Sequence, residues 1–348
     1  MLVLNDLHVG VNRSGGTTQQ SQAALRNYLL DNLASILDKE SGPVVINGDL
    51  FDGFTVDTKE VVRVAHIFDT WLGTTQANRL HLVAGNHDYN PRGDKLSSFH
   101  LLCYILNMVD YGQRFRTYDR GLAQISDNVW CIPHMPNQEL FNLEIAKASA
   151  LTESGCYLLL HCNYKNGFAE SSDHSLNLSD DQVANLMRAG WTLLLGHEHI
   201  GYSLRGGRVV VAGNQFPSSI ADCLGNTEKF ATRITDTGLQ FERTWTAEGS
   251  YAEVDWRELT DLDGLQFIRV TGDATAAEAA DVIKVVSRLR QTHDAYVIAN
   301  AVKVEGHAMS DEMTKTSIES IKSFDVVGSI MAELNEREQE TVKGLLKC

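Results

Sequence analysis

Short apolar runs recur along the first two hundred residues. The runs at 2–4, 44–46, 80–83, 129–132, 157–160, 192–195 and 209–211 are too short for buried helices and predict buried strands. Between them, apolar positions return at helical spacing. Residues 21–39 place Leu25, Leu29, Leu33, Ile36 and Leu37 on one face, and 59–72 and 180–187 are further helical candidates. Strands alternating with helices predict an α/β protein. Past Trp245 a strand at 266–271 precedes an alanine-rich helix over 275–290, with Ala279, Ile283, Val286 and Leu289 as its apolar face, and a second strand at 295–304 follows. This β-α-β unit is compact enough to stand as a small domain. Two short amphipathic helices then close the chain. Val326, Val327, Ile330, Met331 and Leu334 mark the first. Asn335 caps the second, with Glu338 as its capping-box partner. They read equally as a packed hairpin or as a docking arm.

Composition narrows the function classes. The 348 residues are 43% hydrophobic and 22% charged, enough for a real core. Forty-five acidic against thirty basic residues leave a charge of −15, which argues against a wholly basic nucleic-acid-coating protein but leaves room for a local basic groove. No apolar run reaches the roughly 18–20 residues of a membrane span. The opening residues lack a basic, cleavable leader, and the six scattered cysteines form no CxxC pair, so an intracellular, cytoplasmic setting with reduced thiols is expected.

The chemistry lies where the strand runs stop. Asp6-Leu7-His8 follows the first, Gly48-Asp49 the second and Gly85-Asn86-His87-Asp88 the third. His161 ends the run at 157–160, and Gly196-His197-Glu198-His199 ends the run at 192–195. Ligands of α/β sheets sit at the carboxyl ends of strands, so these segments should converge. Imidazole nitrogens with carboxylate and amide oxygens, and no thiolate, suit Mn, Fe or Zn. Seven such groups exceed one tetrahedral site and match two divalent ions, with Asp49 the natural bridge.

In this order the five segments resemble the signature of calcineurin-like metallophosphoesterases, over roughly residues 1–243. The resemblance implies a four-layer α/β/β/α core. It also implies one metal held by Asp6, His8, Asp49 and His199 and a second by Asp49, Asn86, His161 and His197. His87 would act as general acid or stabilise the leaving oxygen, and Asp88 would orient its imidazole. Asp6-Leu7-His8-Val9-Gly10 and Gly48-Asp49-Leu50-Phe51-Asp52 are similar to the corresponding stretches of SbcD-type DNA nucleases. Ile132-Pro133 matches a third stretch, with His134 in place of an aromatic, and 212–217 resembles a segment that lies beside the site. That branch implies a manganese-dependent 3′→5′ exonuclease and single-strand endonuclease, a capping domain over 244–306 and a helical arm over 307–348. It further implies a homodimer and a coiled-coil ATPase partner of SbcC type that admits DNA ends. The compact tail is similar to that of phage recombination nuclease subunits.

Taken singly, each residue has an ordinary alternative. Asp6 fits a turn, Asp49 an N-cap, and His161 a satisfied core imidazole. Their joint occurrence after five strands is what favours a metal site. Arg13 and His134 are candidate substrate contacts, and so is His174. His66, His81, His100, His293 and His307 read as surface or helix residues, and Cys162 as packing. Two rival functions remain: hydrolysis of small phosphodiesters or phosphoproteins without a DNA role, and a scaffold that has lost catalysis.

Overall fold

The computed structural model describes residues 1–11, 18–89, 95–151, 155–165, 175–224 and 227–305. The chain divides into two compact units. The first comprises Met1–Thr271 and Ile283–Ala301; the second takes in Gly272–Val282 and the chain from Val302.

Two six-stranded sheets build the first unit. In one, β1 (Leu2–Leu4), β2 (Pro43–Asn47), β3 (Arg79–Val83) and β4 (Phe115–Tyr118) run parallel. A hairpin, β13 (Glu228–Thr235) and β14 (Gly238–Thr246), adds antiparallel beside β1. In the other, β6 (Val129–Ile132), β7 (Tyr157–His161), β10 (Thr192–Gly196) and β12 (Val209–Val211) run parallel. Antiparallel β5 (Ala123–Ser126) and β11 (Tyr202–Leu204) form its edges. A small pair, β8 (Asn163–Tyr164) and β9 (Asn177–Leu178), stands apart from both.

Strand alternation sorts the core. Leu2, Leu4, Val44, Ile46, Leu80 and Leu82 point to the outer face of the first sheet, where α1 (Gln19–Asp38), α2 (Thr58–Thr74) and α3 (Ser98–Asn107) cover them. Leu158, Leu160, Leu193 and Leu195 do the same in the second sheet, under α4 (Gln138–Ala150) and α5 (Asp180–Ala189). The residues between, Val3, Val45 and Val83 with Leu159, Leu194 and Val210, share one buried cluster between the sheets. Both faces of each sheet are therefore apolar, which is why the strands read as unbroken hydrophobic runs. Helix starts follow local chemistry. Ser179 and Gln182 form a capping box on α5, and Asn137 accepts the Leu140 N–H at the start of α4.

The sequence left α3, α4 and the β13–β14 hairpin unread. In α3 the stretch Ser-Phe-His-Leu-Leu-Cys-Tyr-Ile-Leu-Asn is apolar almost all round and shows no clean period. In β13 the buried Lys229 interrupts the alternation.

Beyond the hairpin, β15 (Tyr251–Asp255), β16 (Phe267–Thr271) and β18 (Val297–Asn300) form a parallel three-stranded sheet within the first unit. Its Phe267 and Tyr296 rings pack on Tyr28 of α1, and Trp245 meets Phe267 edge-on. The strand expected over 295–304 is two. Its second part, β19 (Lys303–Val304), pairs with β17 (Asp273–Ala274) in the second unit. The helix α7 (Ala279–Thr292) starts later than expected because Glu278 caps a turn at Thr275. Ile283 is 62% exposed, and Val282, Val286 and Leu289 form the buried stripe instead. The expected arm over 307–348 lies outside the described residues. No helix among the described residues is long and apolar enough to cross a membrane.

Candidate metal centre

Every segment singled out in the sequence follows the carboxyl end of a parallel strand. Asp6 and His8 follow β1, Asp49 follows β2, Asn86 and His87 follow β3, His161 ends β7, and His197 and His199 follow β10. The chain must bend sharply there. Asp6, His8, Asp49 and His197 all adopt positive φ, at 49°, 46°, 45° and 91°. Such backbone costs of order 1–3 kcal/mol per residue and clusters at functional sites. Two glycines make room. A Cβ on Gly48 would stand 1.9 Å from His161 Nδ1, and one on Gly85 would stand 2.2 Å from Asp49 Oδ1.

The bends bring the side chains together. Ligand-type atoms of Asp6, His8 and His199 lie within 4.8 Å of one another, and so do those of Asp49, His161 and His197. His8 Nε2 and His199 Nε2 are 2.9 Å apart. His161 Nε2 and His197 Nδ1 each stand 2.9 Å from Asn86 Oδ1. Asp49 lies among both groups, with Oδ1 3.4 Å from His161 Nε2 and Oδ2 4.0 Å from His8 Nε2.

The second nitrogen of each imidazole decides what the first can do. His199 Nδ1 donates to Asp222 Oδ1 at 2.7 Å, and His8 Nδ1 faces Asp52 Oδ1 at 3.4 Å. His161 Nδ1 meets the Asn47 carbonyl oxygen at 3.2 Å. Carboxylates and carbonyls only accept, so these nitrogens carry the protons. The inward Nε2 atoms of His8 and His199 then present lone pairs to each other. A proton taken up by one ring or a cation ligated by both relieves the repulsion between them, and a divalent metal fits the oxygen and nitrogen donor set.

The charges agree. Burial opposes ionisation of Asp49, but His161 beside it outweighs that and holds the carboxyl well below its usual range. Burial also opposes a charged His161, yet Asp49 raises its pKa to about 9. Burial pushes Asp6 up, with His161 pulling part of the way back.

His87 sits at the rim, its side chain 25% exposed, with Nε2 3.9 Å from Asp49 Oδ2. The expectation that Asp88 orients it is corrected. Among the described contacts, His87 Nδ1 meets the Asp52 carbonyl oxygen at 2.6 Å. The Asp88 carboxylate turns the other way and accepts the Gly85 and Phe51 N–H groups, because it closes the turn 85–88. Burial, and then Asp49, raise the Asp88 pKa to about 7. His134 is buried; its backbone N–H donates to the Ala84 carbonyl and its ring stands 6.0 Å from that of Tyr89. Arg13 and His174 lie outside the described residues. His81, expected at the surface or on a helix, is buried on β3.

Four supporting residues escaped the sequence reading of the site. Asp52 serves His8 with its carboxylate and His87 with its carbonyl. Asp222 holds His199, with a carboxyl drawn well below its usual range: burial opposes the charge, and the His199 hydrogen bond and the Ser218 N–H overcome it. Glu198 accepts the Tyr164 N–H and the Tyr202 hydroxyl, pinning the residue between His197 and His199. Gln215 exchanges two hydrogen bonds with the Asn5 backbone, next to Asp6. Asp52, Glu198 and Gln215 stood inside stretches that the sequence singled out, though with no role given to them; Asp222 carries no local pattern tying it to the histidines.

Comparison with known proteins accords with this geometry. No curated protein matches the chain. The family model for calcineurin-like phosphoesterases matches residues 1–216, which span every strand end that carries the cluster. A match over more than half of the sequence, with candidate ligand clusters at those positions, identifies the chain as a member of the calcineurin-like phosphoesterase family, a metal-dependent phosphoesterase.

Proposed function

We propose that this protein is a two-metal phosphodiesterase acting on DNA. The observation that carries the phosphodiesterase reading is the convergence of seven nitrogen and oxygen donors beside one rim histidine. Asp6, His8, Asp49 and His199 hold one ion, and Asp49, Asn86, His161 and His197 hold the other. Manganese is the proposed metal. When bound, the ions supply an activated water nucleophile and positive charge for the phosphate oxygens.

The chain's own residues supply the rest. Asp49 lies among both ligand groups and sets their spacing. Asp52 and Asp222 keep the His8 and His199 protons on Nδ1, so both Nε2 atoms stay free for an ion. The Asp52 carbonyl likewise keeps a proton on His87 Nδ1. When the ring carries a second proton, that proton sits on Nε2 and is the one given to the leaving oxygen, which returns the ring to its neutral Nδ1–H form. Glu198 and Gln215 hold the loops so that little rearrangement is needed when substrate arrives.

DNA as the substrate rests on the Asp6–Gly10 and Gly48–Asp52 stretches and their likeness to SbcD-type nucleases. The same likeness supports 3′→5′ exonuclease and single-strand endonuclease activity, a homodimer, a cap over 244–306, an arm over 307–348 and a coiled-coil ATPase partner in DNA repair or recombination. The net charge of −15 favours a second reading, a small phosphodiester as substrate.

The test is cleavage of end-labelled single- and double-stranded DNA with Mn²⁺, beside bis-p-nitrophenyl phosphate, for the unmodified protein and His87→Ala. DNA cleavage lost in the variant supports the nuclease. Hydrolysis of the small diester alone, with DNA intact even after addition of a coiled-coil ATPase partner, moves the substrate to small molecules.

A further inference from the structure

Asp222 lies on α6 (Ile220–Cys223), just past the 212–217 segment and outside every motif that the sequence singled out. Its side chain is buried and fully engaged. Oδ2 accepts four hydrogen bonds, from the backbone N–H groups of Ser218 and Ser219 at 2.8 and 2.9 Å and from both hydroxyls at 3.0 Å. Oδ1 is left for one partner, His199 Nδ1 at 2.7 Å. The other side of His199 is held as well. Lys229, buried on β13, donates from Nζ to the His199 carbonyl oxygen at 2.9 Å. Ring and backbone of His199 are thus fixed by two charged groups, 23 and 30 residues further along the chain.

We infer that Asp222 is a positioning residue that selects the Nδ1–H tautomer of His199 and so aims the Nε2 lone pair into the metal centre. The inference rests on the reading of His199 as a metal ligand. The four donors on Oδ2 make the device directional. They hold the carboxylate in one rotamer, so Oδ1 meets the imidazole as an acceptor. In Asp222→Asn the same donors keep the amide oxygen for themselves and turn the NH₂ group toward His199. An NH₂ group requires an acceptor there, so the proton moves to Nε2, where it blocks ligation. Carboxylates behind ligating imidazoles commonly change metal affinity by about 10–100-fold.

The experiment uses the full chain with ¹⁵N-labelled histidine, first freed of metal by chelation. Long-range ¹H–¹⁵N spectra read the His199 tautomer without any metal or substrate. Mn²⁺ titration then reads affinity at each site. The unmodified protein is expected to carry a proton on His199 Nδ1, whether or not Nε2 shares a second proton with His8 before metal is added, and to bind two ions. Asp222→Asn is expected to show Nε2–H and a loss of about 10–100-fold at one site, with the other unchanged. Ser219→Ala, which removes the helix cap but leaves Oδ1 on His199, separates positioning from local folding and should keep the tautomer. An Nε2–H tautomer in the unmodified protein overturns the inference even if the variant fails to fold. So does equal loss of Mn²⁺ in both variants. Failure of the unmodified protein to bind Mn²⁺, with the tautomer switch still observed, counts against the proposed function and leaves the positioning role standing.

Discussion

His8 Nε2 and His199 Nε2 face each other at 2.9 Å, and each ring has its Nδ1 turned to a carboxylate. Two lone pairs at that distance repel, and a metal ligated by both relieves the repulsion without either ring having to take up a second proton. Metal removal should therefore destabilise the fold. A ligand present at a hundred times its Kd stabilises by about 2.7 kcal/mol. Chelated protein is expected to melt several degrees below the Mn²⁺-loaded form in scanning calorimetry. Identical midpoints would sink the metal-centre reading.

His87 and Asp49 should separate chemistry from binding. Asp49 lies among both ligand groups, so Asp49→Ala is expected to abolish Mn²⁺ binding at both sites. His87 stands at the rim, and His87→Ala is expected to keep two ions but lower kcat by about 10²–10⁴-fold. Metal content and turnover on bis-p-nitrophenyl phosphate check both. A His87→Ala enzyme as fast as the unmodified protein would remove His87 from the reaction.

Gly48 should not tolerate a side chain. Its φ is +84°, and a Cβ would fall 1.9 Å from the His161 ring. Strain and overpacking together cost about 2–5 kcal/mol. Gly48→Ala is expected to lose that stability and the second ion. Gly53→Ala, with open space around the same atom, should stay within about 0.5 kcal/mol. Urea unfolding of the two variants compares them directly.

His81 should contribute to acid sensitivity away from the metal centre. Burial, and then Arg116 and Arg79, lower its pKa to about 4. The unfolded chain takes up this proton near pH 6.5 and the folded chain only near pH 4. Stability is therefore lost as pH falls from about 6.5 to about 4, by about 3 kcal/mol from this residue. His81→Gln, which can still reach the Tyr118 hydroxyl now 3.0 Å from Nδ1, should flatten that limb. Stability curves at pH 7.5 and 4.5 for both proteins give the difference. A variant as acid-sensitive as the unmodified protein would contradict the assignment.

Much of the architecture could be read from the chain because both faces of each sheet are apolar, so runs such as Leu158-Leu159-Leu160 announce themselves. Residues at 98–107 and 228–246 were not legible. The first is apolar without a period, and the second carries a lysine that is buried only because the His199 carbonyl and Asp222 lie beside it. Ile283 and Val282 fit an apolar face equally well on spacing alone, and packing chose Val282.

The sequence by itself determined which residue types stand at the strand ends, and hence the family and the donor chemistry, since a parallel strand delivers its next residue to one edge of the sheet. Only the tertiary structure decided which atom of each residue faces inward. Tautomer and ring direction depend on the partner behind the ring, and those partners, Asp52 and Asp222, lie 44 and 23 residues from the histidines they hold, while Asp88, next in the chain to His87, turns away from it to close its own loop.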